Sequence, residues 1–63
     1  MDGWKYWIGK KVFIILKNKR KYNGLVLEVE QTNFLYWITI SDKFNNRIGF
    51  SSEEIELIQE ESN

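Results

Sequence analysis

The chain has 63 residues and contains neither Cys nor His. It therefore cannot form disulfides or thiolate metal sites, and it lacks the commonest metal ligand and general base, so we expect no metal, no cofactor and no enzymatic activity. One domain fits this length, and its stability alone is expected to be marginal, because such a chain buries only about 60% of its unfolded surface. Self-association would reinforce it.

Charge is sorted along the chain although its formal sum is zero. Residues 1–27 carry seven basic residues and one acidic residue, net +6, whereas residues 28–63 carry two basic and eight acidic residues, net −6. Such asymmetry indicates a basic binding face and an acidic tail, or neutralisation across the fold or between subunits. No stretch reaches the ~20 apolar residues of a membrane span, and the first residues lack a signal-like apolar run, so we expect a cytoplasmic protein without membrane contact.

The first predicted element is a short N-terminal helix. Asp2 could cap it, Trp4, Trp7 and Ile8 would form one apolar stripe, and Gly9 would end it. The tryptophans would either cover one open end of a β-barrel or provide a surface on which a ligand stacks.

Two strands are predicted next, over 11–17 and 22–30, joined by a polar turn over 18–20. The first is apolar on both faces. In the second, Gly24 is expected to mark a bulge, a bend or a close backbone approach. Simple alternation places three residues of the second strand towards the core, Leu25, Leu27 and Val29, and three towards solvent, Val26, Glu28 and Glu30.

The remaining pattern predicts a third strand over 34–41, a turn over 42–46 and a fourth strand over 47–50. A capping-box spacing between Ser51 and Glu54 predicts one helical turn before a last strand at 56–58. The fold class is therefore all-β: a small five-stranded antiparallel barrel over residues 1–59, closed to remove its edges, with a frayed polar tail over 60–63.

These residues resemble the Sm-like proteins over roughly 4–58. The resemblance rests on the short N-terminal helix, Gly9-Lys10-Lys11-Val12, the second strand over 22–30 and a last strand entered through a short turn. Gly24 matches the glycine of the family's second strand, and Glu30 matches an acidic position. The resemblance implies a small barrel of the Src-homology-3 type that assembles into rings and binds single-stranded RNA.

Both RNA-binding motifs of that family depart from the pattern here. An Asn should follow an apolar residue in the loop after the second strand, but the order is Asn33 then Phe34. The second motif usually has adjacent Arg and Gly, whereas this chain has Arg47-Ile48-Gly49. The resemblance therefore supports the fold more than the ligand.

Three functions are compatible with the sequence. The favoured one is a non-catalytic binding module that contacts a partner protein or itself, as a homo-oligomer, through surplus apolar surface. Its predicted interface is Phe13, Ile15, Tyr36, Trp37 and Phe50. The other interpretation of those five residues is an ordinary core.

The alternative is binding of single-stranded RNA or DNA by cations that contact phosphate and by side chains that stack on bases, for which Tyr36 and Trp37 are further candidates. The predicted nucleic-acid residues are Lys17, Lys19, Arg20, Lys21, Asn33, Phe34, Lys43 and Arg47. An enzyme is the third function, with Glu28 and Glu30 as paired carboxylates. We expect those two to be solubilising residues on a wet face.

Overall fold

Five antiparallel strands form one sheet in the computed structural model, which describes residues 3–61. The strand order is β4-β3-β2-β1-β5. The elements in chain order are the 3₁₀ helix η1 (Gly3–Trp7), β1 (Lys11–Leu16), β2 (Lys21–Gln31), β3 (Tyr36–Ser41), β4 (Arg47–Ser51), the 3₁₀ helix η2 (Ser52–Glu54) and β5 (Ile55–Glu60). The predicted all-β class and its five strands are confirmed.

The inner face of the sheet carries the core. Alternation on β1 and β3 directs every second side chain inward, and most of these are β-branched residues that suit a pleated surface. The buried set is Val12, Ile14, Leu16, Val26, Val29, Ile38, Ile40, Phe50 and Ile55. Within residues 3–61 no polar side chain is buried.

The two ends of the sheet are β4 and β5. The four ladders join β1 to β2, β1 to β5, β2 to β3 and β3 to β4, and none of them joins β4 to β5 in the described part of the chain. Closure of the sheet into a barrel therefore stays a prediction. The chain passes from β4 to β5 through η2, whose end is tied to β1, because the backbone N–H of Lys17 donates to the carbonyl oxygen of Glu54 at 2.8 Å.

A β-bulge in β2 corrects the predicted facing of that strand. Val26 pairs with Ile40 and Glu28 pairs with Thr39, so Leu27 is an extra residue between two consecutive partners. An inserted residue reverses the inside-outside alternation beyond it. Val26 is therefore buried and Leu25 is 38% exposed, the reverse of the prediction, whereas the predicted facing of residues 28–30 is correct.

Gly24 is a point of close backbone approach rather than the bulge itself. It lies opposite Val12 in the β1–β2 ladder, and a Cβ at this position would overlap the carbonyl oxygen of Ser41. Only a residue without a side chain allows β2 and the end of β3 to meet in this way.

The N-terminal element is a 3₁₀ helix, and its tryptophans cover part of the core. Trp4 and Trp7 are half-buried against the core cluster, whereas Ile8 is 45% exposed. With three residues per turn, positions i and i+3 lie above one another and i+4 turns away, so Ile8 leaves the predicted stripe. Gly9 ends the element at φ +83°, as predicted, while the proposed cap Asp2 lies outside the described residues.

Two further boundaries differ from the prediction, and one predicted turn is present. Phe34 belongs to the loop before β3 rather than to the strand, because the N–H and the hydroxyl of Thr32 both donate to the carbonyl of Leu35, at 2.8 and 2.9 Å, and close a turn there. β5 continues to Glu60, the first residue of the predicted tail. The predicted turn after Ser51 is present as η2, and the Ser51 N–H donates to Oε2 of Glu54 at 2.9 Å.

Candidate interaction surfaces

The outer face of β1 and β5 carries an apolar patch, which we define as Phe13, Ile15 and Leu57. Ile15 lies directly opposite Leu57 in the ladder, and Phe13 lies two residues earlier on the same face of β1. Cβ atoms of directly opposed residues are about 5 Å apart, so the three side chains are neighbours. Leu57 is 39% exposed and the other two are half-buried. Leu25 extends the apolar surface from β2.

Three of the five predicted interface residues lie outside this patch: Phe50, Tyr36 and Trp37. Phe50 is only 3% exposed, because it lies opposite Ile38 on the inner face and its ring centroid is 5.0 Å from that of Tyr22. It is a core residue, and its predicted surface position is wrong. Tyr36 is half-buried, with its ring centroid 6.3 Å from that of Trp4. Phe13, Ile15 and Trp37 lie on the outer face of the sheet, and their role in an interface stays a prediction.

Trp37 lies on the outer face of β3, apart from the apolar patch. Its indole covers Gly49, since a Cβ on Gly49 would be 2.6 Å from the indole Nε1. The indole therefore lies against Gly49, and Trp37 stays 42% exposed. A flat aromatic face of this kind attracts cations and planar or apolar groups.

Two carboxylates share this part of the outer face. Glu30 lies directly opposite Trp37, and Glu28 lies opposite Thr39 two pairs further along the same two strands, on the same face. Both glutamates are exposed, and neither has a hydrogen-bond or ion-pair partner among residues 3–61. We call Trp37, Glu28 and Glu30 the Trp37 face. It combines an aromatic ring with two unpaired negative charges.

The basic residues between β1 and β2 form a compact turn, which we call the basic turn: Lys17, Lys19, Arg20 and Lys21. The N–H of Lys19 donates to the Leu16 carbonyl at 2.9 Å, and Lys19 itself has φ 76°. Oδ1 of Asn18 accepts from the N–H of Arg20 at 3.0 Å and holds the turn. This is a three-residue hairpin loop with a left-handed residue at its end.

One ion pair neutralises part of the basic turn. Nζ of Lys19 is 3.1 Å from Oε1 of Glu56 on β5, with both side chains largely exposed. Lys17, Arg20 and Lys21 have no acidic partner within residues 3–61. Lys19 and Glu56 thus join the basic first part of the chain to the acidic second part by one direct ion pair.

Asn33 and Phe34 lie together in the β2–β3 loop, away from the basic turn in the chain. Phe34 is 95% exposed, the largest exposed fraction among the large apolar side chains described. The N–H of Tyr36 just after this loop donates to Oγ of Ser52 at 3.1 Å, so the loop adjoins η2. The two acidic residues of η2, Glu53 and Glu54, line a groove with Lys17 and Asn18, so their negative charge, which opposes a nucleic-acid phosphate, lies beside the basic turn.

Lys43 and Arg47 lie on a different turn again. Asp42 organises this β3–β4 turn, since its Oδ1 accepts from the N–H groups of Phe44 at 2.8 Å and Asn46 at 2.9 Å. The bond from the Asn46 N–H is the largest cause that lowers the pKa of Asp42, and the Phe44 N–H and the Asn46 side chain add to it, against a desolvation effect that raises it. The turn borders an open groove of about 350 Å³ lined in part by Lys11, Lys43 and Asn45.

The eight predicted nucleic-acid residues are thus distributed over three turns. Four form the basic turn, two lie in the β2–β3 loop, and Lys43 and Arg47 flank the Asp42-centred turn. Of the described hydrogen bonds and ion pairs, none joins one of these turns to another, since the basic turn bonds to Glu54 and Glu56 and the Asp42 turn bonds to itself. The structure does not gather them into one groove.

Leu57 and the exposed Phe44 were missed by the sequence reasoning. Leu57 is the central residue of the strand predicted over 56–58, but its place beside Ile15 follows from the β1–β5 register, which no local pattern contains. Phe44 is 71% exposed in a turn otherwise made of polar residues. The position of an aromatic residue in the middle of the predicted turn over 42–46 could have indicated that Phe44 is exposed.

Residues 3–61 contain no group of three or more Asp and Glu side chains placed to hold a metal ion. No helix in the described part of the chain is both long enough and apolar enough to cross a membrane. Comparisons with protein-family models, with curated proteins and with solved structures each gave no match.

Proposed function

We propose that this domain is a non-catalytic binding module that acts by protein-protein association and forms homo-oligomers through the apolar patch. The observation that carries the proposal is the position of Phe13, Ile15 and Leu57, which lie side by side on the face opposite the core. β1 is apolar on both faces, but a single sheet encloses only one of them. The surplus apolar surface is what a partner would cover.

The size of the domain supports self-association. A chain of about 60 residues is marginal in stability, and covering outward apolar side chains would add about 25 cal/mol for each Å² removed from water, less the cost of association. We further propose that the sheet closes as a small barrel of the Sm-like type. The N-terminal turn, the β1–β2 hairpin and the short entry into β5 support that part of the proposal.

The test removes the patch while preserving the strands. Replacing Phe13→Thr and Leu57→Thr together keeps β-propensity and removes the outward apolar groups. We expect this patch variant to lose self-association in sedimentation velocity over a concentration series. The matched control is Phe34→Ser, which removes an exposed aromatic ring outside the patch and should associate as the unmodified chain does.

Binding of single-stranded nucleic acid is the second candidate. It is favoured by the nearly complete exposure of Phe34 and by the unpaired cations of the basic turn. Replacing Lys19, Arg20 and Lys21 with Ala together would then abolish binding of a labelled single-stranded oligonucleotide, measured by fluorescence anisotropy at low salt. Equal binding by the unmodified chain and this variant would exclude the turn as the phosphate-binding element.

A further inference from the structure

We propose that the Trp37 face binds the basic turn of a second copy of this chain. The inference rests on the proposed homo-oligomer and adds to it a second contact on a different surface. Two observations support it: an aromatic ring with two unpaired carboxylates on one side of the molecule, and a group of unpaired cations on another.

The Trp37 face has the chemistry of a cation site. The indole of Trp37 lies against Gly49 and the side chain is 42% exposed, and a guanidinium or ammonium group above the face of such a ring is attracted by its π electrons. Glu30 is directly across the ladder from Trp37, and Glu28 is next along. A cation above the ring would therefore meet carboxylates beside it.

The basic turn has the matching shape and charge. It projects as a tight hairpin end, with Asn18 bonded to its backbone, so its cations are displayed on a preformed loop. Lys19 is already paired with Glu56, which leaves Lys17, Arg20 and Lys21 available. Arg20 is suited to the indole because a planar guanidinium stacks on aromatic rings and bonds carboxylates in the same plane.

A second copy is the occupant that satisfies both surfaces. A foreign basic segment would cover the Trp37 face but would leave the basic turn without a partner. Each copy brings one basic turn and one acidic face, so a chain of formal net charge zero is self-complementary. Two copies related by a two-fold axis could make this contact twice, turn to face and face to turn, whereas a contact made once and repeated by another rotation forms a ring or an open filament.

The experiment is a charge-exchange test by sedimentation velocity at low salt. The face variant carries Glu28→Lys and Glu30→Lys, and the turn variant carries Arg20→Glu and Lys21→Glu. Each alone should lose this contact, with apparent affinity reduced about tenfold or more. Mixed together they should associate again, because the intact basic turn of the face variant meets the intact Trp37 face of the turn variant.

A control variant with Glu60→Lys and Glu61→Lys makes the same change of net charge away from both the Trp37 face and the basic turn. Because both of those surfaces are intact in the control, it should associate by itself as the unmodified chain does. A loss of association in the control as large as in the face variant, or no restoration in the face and turn mixture, would overturn the inference. If the turn variant associates as strongly as the unmodified chain, the basic turn has no role in association and the inference is wrong.

The patch variant separates this inference from the proposed function. In the Phe13→Thr and Leu57→Thr background the apolar contact is absent, and the remaining association at low salt should weaken about tenfold as NaCl is raised to about 0.5 M. If the patch proposal fails, the patch variant associates like the unmodified chain while the face variant does not. If the present inference fails, the face variant associates like the unmodified chain.

Discussion

Two glycines on the sheet have no room for a side chain, but different kinds of neighbouring atom fill the space. At Gly24 an added Cβ would overlap the backbone carbonyl of Ser41, whereas at Gly49 it would meet the side chain of Trp37 at 2.6 Å. Backbone within a ladder moves less easily than a half-exposed side chain. Replacement by Ala should therefore lower the free energy of unfolding more at Gly24 than at Gly49.

We expect Gly24→Ala to lower the free energy of unfolding by about 2 to 3 kcal/mol and Gly49→Ala by about 1 kcal/mol. Gly49→Ala should also increase the solvent exposure of Trp37, seen as greater quenching of its fluorescence by acrylamide. Urea unfolding measures the stabilities. Gly3→Ala is the control, because nothing lies within 4 Å of its added Cβ. An equal loss at both strand positions would contradict the distinction.

The backbone at Lys19 is in a region that disfavours ordinary side chains. Its φ of 76° is left-handed, where Asn is better tolerated than Lys. Lys19→Asn should therefore raise the free energy of unfolding by about 0.5 to 1 kcal/mol once the Glu56 ion pair is removed from the comparison. The measurement is made in a Glu56→Gln background, in which both chains lack the pair. A loss of stability there would show that the left-handed conformation is not what limits this turn.

The bulge in β2 determines which of two adjacent apolar residues stabilises the fold. Val26 is 1% exposed and Leu25 is 38% exposed, although simple alternation predicts the opposite. Val26→Ala should therefore lower the free energy of unfolding by about 2 kcal/mol, and Leu25→Ala by under about 1 kcal/mol, despite the larger side chain of Leu. Urea denaturation of the two variants tests the order, and the reverse order would place Leu25 in the core.

The β3–β4 turn should make stability depend on acid pH. The pKa of Asp42 is lowered in the folded state, chiefly by the Asn46 N–H bond, so its stabilising contribution is complete above the ordinary pKa near 4 and is lost as pH falls through the lower folded value. Asp42→Asn keeps one acceptor oxygen but removes the titration. Urea midpoints compared between about pH 6 and pH 3 should fall less in the variant than in the unmodified chain. An equal fall would remove Asp42 from the acid response.

The sequence predicts elements well where the pattern is local. The alternation of Val12, Ile14 and Leu16 and the spacing of Ser51 and Glu54 each led to the correct element. The bulge at Leu27 could not be predicted, because it depends on which β3 residue each β2 residue meets. Phe50 was misplaced for a related reason, since its burial follows from its register with Ile38.

At the scale of the molecule, the candidate site was predictable in part. Phe13 and Ile15 followed from a strand that is apolar on both faces, but Leu57 joined them only through the β1–β5 ladder. The cations were identified as a set, whereas the structure separates them over the β1–β2 and β3–β4 turns. Composition identifies which groups are available, and long-range strand pairing decides which of them meet.

The central claim is that the domain associates with itself through the apolar patch, and light scattering coupled to size-exclusion chromatography tests it most directly. The unmodified chain, the patch variant and the Phe34→Ser control are run over a concentration series, at low and moderate salt, with and without a labelled single-stranded oligonucleotide. We expect a mass above that of the monomer for the unmodified chain and the control, a lower mass for the patch variant, and no oligonucleotide in the protein peak. A monomer at every concentration, or an assembly that carries the oligonucleotide and releases it as salt rises, would contradict the account.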